Sequence, residues 1–150
     1  MDVDDTTTPE SDEDFSPEVI DAIRRSVESS DTLPFFHPAH AYDKLKKLWN
    51  PLYRPPSYKL AEARFLLGMT KEFLKSIEAI DRTLQGRILD AITHILDQPT
   101  TQRGDTVKPL SGDLSGMWRY RIGNCRLIYH PKADRGEVLL VRFDGRGHVY

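Results

Sequence analysis

The spacing of apolar residues predicts the elements one after another. Val19, Ile20, Ile23 and Val27 recur at helical intervals behind Ser16-Pro17-Glu18, which reads as cap, helix-starting proline and first-turn acid. A short amphipathic helix over about 17–29 follows, and alone in water it is marginal unless its apolar stripe docks. Residues 33–58 are rich in proline and aromatics. Within them HAYDKLKKLW puts Tyr42, Leu45, Leu48 and Trp49 on one side of a second short helix, and the prolines at 51, 55 and 56 forbid regular structure after it. Arg64-Phe65-Leu66-Leu67 reads as a first strand, with a helix from Leu60 to Leu67 as the alternative. Thr70 caps a helix through Phe73, Leu74, Ile77 and Ile80. Asp81-Arg82-Thr83 turns the chain, and a longer helix carries Leu84, Ile88, Leu89, Ile92, Ile95 and Leu96 inward until Pro99 ends it. Beyond the polar loop TTQRGDTVKPLSGDLSG, three strands are expected: Met117 to Ile122, Cys125 to His130 and Glu137 to Phe143. Gly123-Asn124 joins the first two as a two-residue turn needing positive φ. This order predicts an α+β fold: a helical hairpin packed on a small antiparallel sheet of three to four strands, behind an extended and helical N-terminal extension.

Composition divides the chain further. With 150 residues, 39% hydrophobic and 29% charged, the sequence suits one compact domain and a tail. Residues 1–15 have almost nothing to bury and read as a disordered acidic tail. Residues 16–58 form an extension able to wrap the body, and 59–150 are the body. The net charge of −2 hides an asymmetry: residues 1–33 sum to −9 and residues 34–150 to +7. Such a split implies a polyanionic partner for the body or a tail that covers a basic surface; the plain alternative is a solvated tail on an ordinary domain. Cys125 is the single cysteine, which excludes an internal disulfide and a multi-cysteine zinc cluster and fits a reducing compartment. No apolar run approaches the roughly 20 residues that span a bilayer. The acidic N-terminus is the opposite of a secretory signal, so a cytoplasmic protein without a membrane partner is expected.

The residues able to do chemistry gather late in the sequence. Arg119 and Arg121 lie two apart on a strand and share a face, with Trp118 and Tyr120 on the other. Arg126 follows across the turn and approaches them; Lys108 and Arg142 flank the group as further RNA-binding positions. Clustered arginines repel one another unless a partner neutralises them, and a phosphate does so through bidentate contacts. The competing reading pairs each arginine with a nearby acid on a solvated face. Arg146, His148 and Tyr150 come just past the last strand, where a histidine or tyrosine can handle a 2′-hydroxyl proton while arginines hold the phosphate. Other chemistries are weakly represented. His37-x-x-His40 alone is a poor metal signal, no glycine-rich phosphate loop is present, and Cys125 inside a strand packs rather than attacks. Neither a metal nor a cofactor is expected.

The stretch from about Arg64 to Tyr150 resembles the RelE/ParE toxin superfamily, the toxic half of bacterial and archaeal toxin–antitoxin pairs. Three segments carry the resemblance: the hairpin TKEFLKSIEAIDRTLQGRILDAITHILDQP, the stretch KPLSGDLSGMWRYRIGNCRLIYH and the ending LLVRFDGRGHVY. It implies a toxin that cuts messenger RNA, often on the ribosome, by driving the 2′-hydroxyl onto the adjacent phosphate without a metal. By position, Arg119 and Arg121 resemble the family's paired basic residues, and Arg126 its phosphorane-stabilising arginine. Tyr150 resembles its C-terminal tyrosine, a base or stacking platform. Three positions depart from the pattern: Asp144 replaces an arginine, with Arg146 or Arg142 compensating; both strand positions are Arg rather than Lys; and nothing follows Tyr150, which leaves His148 as acid or base. The implied partners are mRNA, the ribosome and an antitoxin, or the acidic N-terminal segment playing the antitoxin's part in cis. Two other functions fit the same resemblance: a degenerate module that binds RNA, ribosome or antitoxin without cutting, and an inhibitor of DNA gyrase of the ParE kind.

Overall fold

A computed structural model describes residues 15–29, 33–49 and 64–145. Residues 1–14 of the expected tail, the proline-rich connector after Trp49, and Arg146, His148 and Tyr150 lie outside them. The elements in chain order are α1 (Pro17–Glu28), α2 (Pro38–Leu48), β1 (Leu66–Met69), α3 (Lys71–Ser76), α4 (Arg82–Asp97), β2 (Val107–Pro109), β3 (Trp118–Ile122), β4 (Cys125–Lys132) and β5 (Glu137–Gly145). The strands form one sheet in the order β1-β5-β4-β3-β2. β1 runs parallel to β5 and every other neighbour is antiparallel, so the class is α+β.

Local signals placed the helices. Ser16 caps α1 by accepting the Val19 N–H at 3.2 Å, and Asp81 caps α4 by accepting the Leu84 N–H at 2.8 Å. His37 caps α2: its Nδ1 accepts the Ala39 N–H at 3.1 Å, which gives this member of the His-x-x-His pair a structural use. The hairpin turn between β3 and β4 has positive φ only at Gly123 (61°), the glycine-first pattern of a II′ turn.

Three expectations shift. The first strand starts at Leu66, where Leu66 to Met69 pair with Glu137 to Leu140. The sheet has a fifth strand, β2, inside the loop that sequence left irregular; it is only three residues long and ends in proline, too short to alternate visibly. α3 stops at Ser76 instead of running to Ile80; at its end Ser76 Oγ donates to Phe73 O within the helix and accepts the Phe143 N–H from β5.

Both faces of the sheet are covered. On one face Leu67, Leu127, Tyr129, Val138 and Leu140 pack with Ile88, Ile92 and Ile95 of α4 and with Tyr42 and Leu45 of α2. On the other, Ile128, Leu139 and Val141 meet Phe15, Ile23 of α1 and Leu114. Burial on both sides explains why β4 and β5 carry nearly unbroken apolar runs rather than simple alternation. Among the described residues no helix is long and apolar enough to cross a membrane.

Candidate nucleic-acid interface

Register builds the site. Lys108 lies opposite Arg119, Arg121 opposite Arg126, Arg126 opposite Asp144, and Ile128 opposite Arg142. Directly opposed residues share a face, so Lys108, Arg119, Arg121, Arg126 and Arg142 gather on one side of the sheet, together with Asp144. Trp118 and Tyr120 go to the other side, as strand alternation predicts; there the Tyr120 hydroxyl meets His94 Nδ1 at 2.8 Å. A bulge completes the set. Tyr129 pairs with Leu140 but Ile128 with Arg142, which leaves Val141 as an extra residue on β5. Simple alternation from Leu140 would have put Arg142 on Leu140's face; the bulge brings it to the arginine side. Thr70 braces that spot: its Oγ1 donates to Val141 O at 2.7 Å and accepts the Phe73 N–H at 2.9 Å.

Each arginine has a carboxylate close by. Arg119 is fully buried, and its Nη1 donates to Asp105 O at 2.6 Å and to Thr106 O at 3.3 Å, its Nη2 to Asp105 Oδ1 at 3.2 Å. Asp105 also lies 3.3 Å from Lys108 Nζ and 3.6 Å from Arg121 Nε. Burial, slight at this position, works against its charge, but the Lys108 hydrogen bond and the guanidinium charges of Arg121 and Arg119 hold the Asp105 carboxyl below the ordinary aspartate value. Arg126 donates from Nη2 to Asp144 Oδ2 at 2.8 Å, and Arg142 bonds to Glu72 and lies 3.7 Å from Asp144 Oδ1. The acid-paired reading of the arginines is therefore what the fold adopts, but on a covered face rather than a solvated one. Among the described residues, these five cations share three carboxylates, Asp105, Asp144 and Glu72. Nε of Arg121 and Nε of Arg142 are buried without a hydrogen-bond acceptor.

Helix α1 and the residue before it lie over this face. Arg126 Cζ lies over the Phe15 ring, 4.0 Å from its centroid, and Arg126 keeps only 3% of its surface exposed. Sequence reasoning had no signal for Asp105 or Glu72 as partners, since Asp105 lies in a loop read as irregular and Glu72 is 70 residues from Arg142. His130, also on this side, is held below the ordinary histidine value by burial and then by the Lys132 charge. On the opposite side, burial and then the Asp144 charge push the Cys125 thiol up, away from the reactive thiolate. Of the residues singled out from sequence, the fold thus brings together Lys108, Arg119, Arg121, Arg126 and Arg142; Arg146, His148 and Tyr150 fall outside the described residues.

Comparison with known proteins gives the following. Similar solved structures include the toxin–antitoxin complex RelBE2 from Mycobacterium tuberculosis (20% identity, 56% of this chain and 99% of that chain, TM-score 0.47). Others are the archaeal RelE–RelB complex from Pyrococcus horikoshii (19%, 57% and 99%, 0.49) and the YoeB/ParE toxin from Agrobacterium tumefaciens (21%, 55% and 98%, 0.47). No curated protein matches the sequence. The profile of the family described as ParE toxin of type II toxin–antitoxin system, parDE, matches residues 67–150, more than half of the chain and the whole of the sheet but one residue. On that match the chain belongs to the ParE toxin family of type II toxin–antitoxin systems.

Proposed function

We propose that the protein is a toxin that cuts messenger RNA without a metal, on or near the ribosome, with the arginine face as its phosphate-binding surface. The observation that carries this reading is the gathering of Lys108, Arg119, Arg121, Arg126 and Arg142 on one side of the sheet. Arginine scarcely deprotonates, so these groups hold charge rather than move protons. Arg121, Arg126 and Arg142, with Lys108, grip the scissile phosphate and stabilise the charge that builds on it. Arg119 acts as a positioning residue, fastening the Asp105 loop against β3. In the reaction the 2′-oxygen bonds to phosphorus and the bond from phosphorus to the 5′-oxygen breaks, leaving a cyclic phosphate and a 5′-hydroxyl. One proton leaves the 2′-hydroxyl and one reaches the 5′-oxygen; His148 and Tyr150 are the groups assigned to those transfers. An antitoxin protein is the expected partner in trans.

The Arg126–Asp144 pair favours a second reading, in which the same face binds RNA without cutting it, because a carboxylate already occupies the arginine assigned to the phosphorane. One experiment separates them. The full chain and its Ile23→Asp variant are induced in cells, and mRNA ends are mapped by primer extension, each also with Arg126→Ala. New ends in either chain, lost with Arg126→Ala and insensitive to chelator in extract, support cleavage. Salt-sensitive RNA binding with intact mRNA supports the non-cutting module, and growth arrest with DNA damage and intact mRNA supports gyrase inhibition.

A further inference from the structure

The extension ahead of the family-matched region touches the body on three sides, and one contact falls on the arginine face itself. Phe15 lies on Arg126, and Ile23 is fully buried beside Ile128, Leu139 and Val141, with Val19, Ile20 and Val27 packed around it. At the sheet edge Phe36 exchanges two backbone hydrogen bonds with Leu67 of β1, at 2.9 and 2.8 Å. Phe35 fills the space over Gly68, where even a Cβ would come within 2.7 Å of its ring. On the far face α2 is fastened directionally: the Tyr42 hydroxyl donates to Leu89 O at 3.2 Å and Trp49 Nε1 to Ile77 O at 2.8 Å. The body therefore receives the extension at sites shaped for it. α1 differs from α2 in what it covers, since it lies over the face where Lys108, Arg119, Arg121, Arg126 and Arg142 collect.

We infer that α1 with Phe15 is an inhibitor carried in cis, a removable cover that keeps the chain from RNA until it is displaced. The inference rests on the proposed RNA-cutting role of the arginine face. The main core, on the other side of the sheet, is built from α2, α4 and the strands, without α1. Lifting α1 thus uncovers Arg126 and a flanking apolar strip of Ile128, Leu139 and Val141 while leaving that core in place. A segment tethered this way competes at an effective concentration of order millimolar, so a weak intrinsic contact suffices to keep the face closed.

The test uses the full chain with a protease recognition site inserted between Ser29 and Leu33, folded first and cut afterwards. Cleavage of mRNA in a ribosome-containing extract is followed before and after cutting, while gel filtration follows the released α1 fragment. The expected result is at least a tenfold rise in RNA cleavage on cutting, reversed by an excess of synthetic peptide covering residues 12–29. The Ile23→Asp variant of the uncut chain gives the same rise; if it fails to fold, as melting reports, the cut chain decides, having folded with its native sequence. Equal activity before and after release overturns the inference and leaves the ribonuclease reading standing. An α1 fragment that stays bound through dilution to nanomolar concentration overturns the idea of a removable cover. A released fragment with a folded body that neither binds nor cuts RNA overturns the ribonuclease reading, and the inference with it.

Discussion

Arg119 and Arg121 are two residues apart on one strand, and burial gives them different work. The Arg119 guanidinium is fully buried and donates to two backbone carbonyls, so it fixes the loop at Asp105 and Thr106. Arg121 keeps 32% of its side chain exposed, and Asp105, 3.6 Å from its Nε, keeps 67%. Pairs that wet contribute little to stability, about 0–1 kcal/mol. A buried guanidinium hydrogen-bonded to carbonyls is another matter: removal leaves those acceptors unsatisfied and costs about 2–3 kcal/mol. We expect Arg119→Met to lower stability in urea unfolding by about that amount, while Arg121→Ala changes it by less than about 1 kcal/mol yet weakens RNA binding. Comparable stability losses for the two would show that Arg119 has no special hold on the loop. Sequence reasoning grouped the two correctly on one face from their spacing alone. It could not separate them, because the bonds that hold Arg119 come from Asp105 and Thr106, in the loop just ahead of the short β2 strand.

At the scale of elements, α3 and β5 position the site jointly. Thr70 is cap to α3 and clamp to the bulge: one oxygen accepts the Phe73 N–H and donates to Val141 O. Loss of both bonds in Thr70→Val should cost about 2 kcal/mol, combining a lost cap with an unsatisfied buried carbonyl. Thermal melting measures that cost, and amide exchange should quicken at Arg142 and Phe143 before it does in β3. Uniform exchange along the sheet would mean the bulge stands without its brace. This pair of elements also marks where sequence stops being legible. The caps at Ser16 and Thr70 were readable because a cap is a contact between near neighbours, whereas Asp81, read as part of a turn, caps a helix that already includes Arg82 and Thr83. The early end of α3 and the bulge at Val141 were not readable, because each sits at a contact between segments some 70 residues apart, Phe143 N–H to Ser76 and Thr70 to Val141. The bulge matters most: without it Arg142 would leave the site that its place in the sequence suggested.

For the whole molecule, the charge split was legible from composition and the manner of its use was not. Residues 1–33 carry −9 and the remainder +7, which suggests an acidic tail held electrostatically on a basic body. The described contacts of α1 are of another kind: Ile23, Val19, Ile20 and Val27 on apolar strand residues, and an aromatic ring on Arg126. Among the described residues, the carboxylates beside the arginines are Asp105, Asp144 and Glu72 of the body. Apolar burial is indifferent to moderate salt, whereas phosphate binding releases counterions and weakens as salt rises. The two competitors for the face should therefore respond differently to ionic strength. We expect amide exchange in α1 to change less than about threefold between about 0.05 and 0.5 M sodium chloride, across which the Debye length falls from roughly 14 to 4 Å. RNA binding by the uncovered chain should instead fall with a log–log slope of about −3, the value for four phosphate contacts on a single strand made by Lys108, Arg121, Arg126 and Arg142. Exchange in α1 that accelerates tenfold with salt would show that the acidic residues around it, rather than the ring and the aliphatic stripe, keep the face closed.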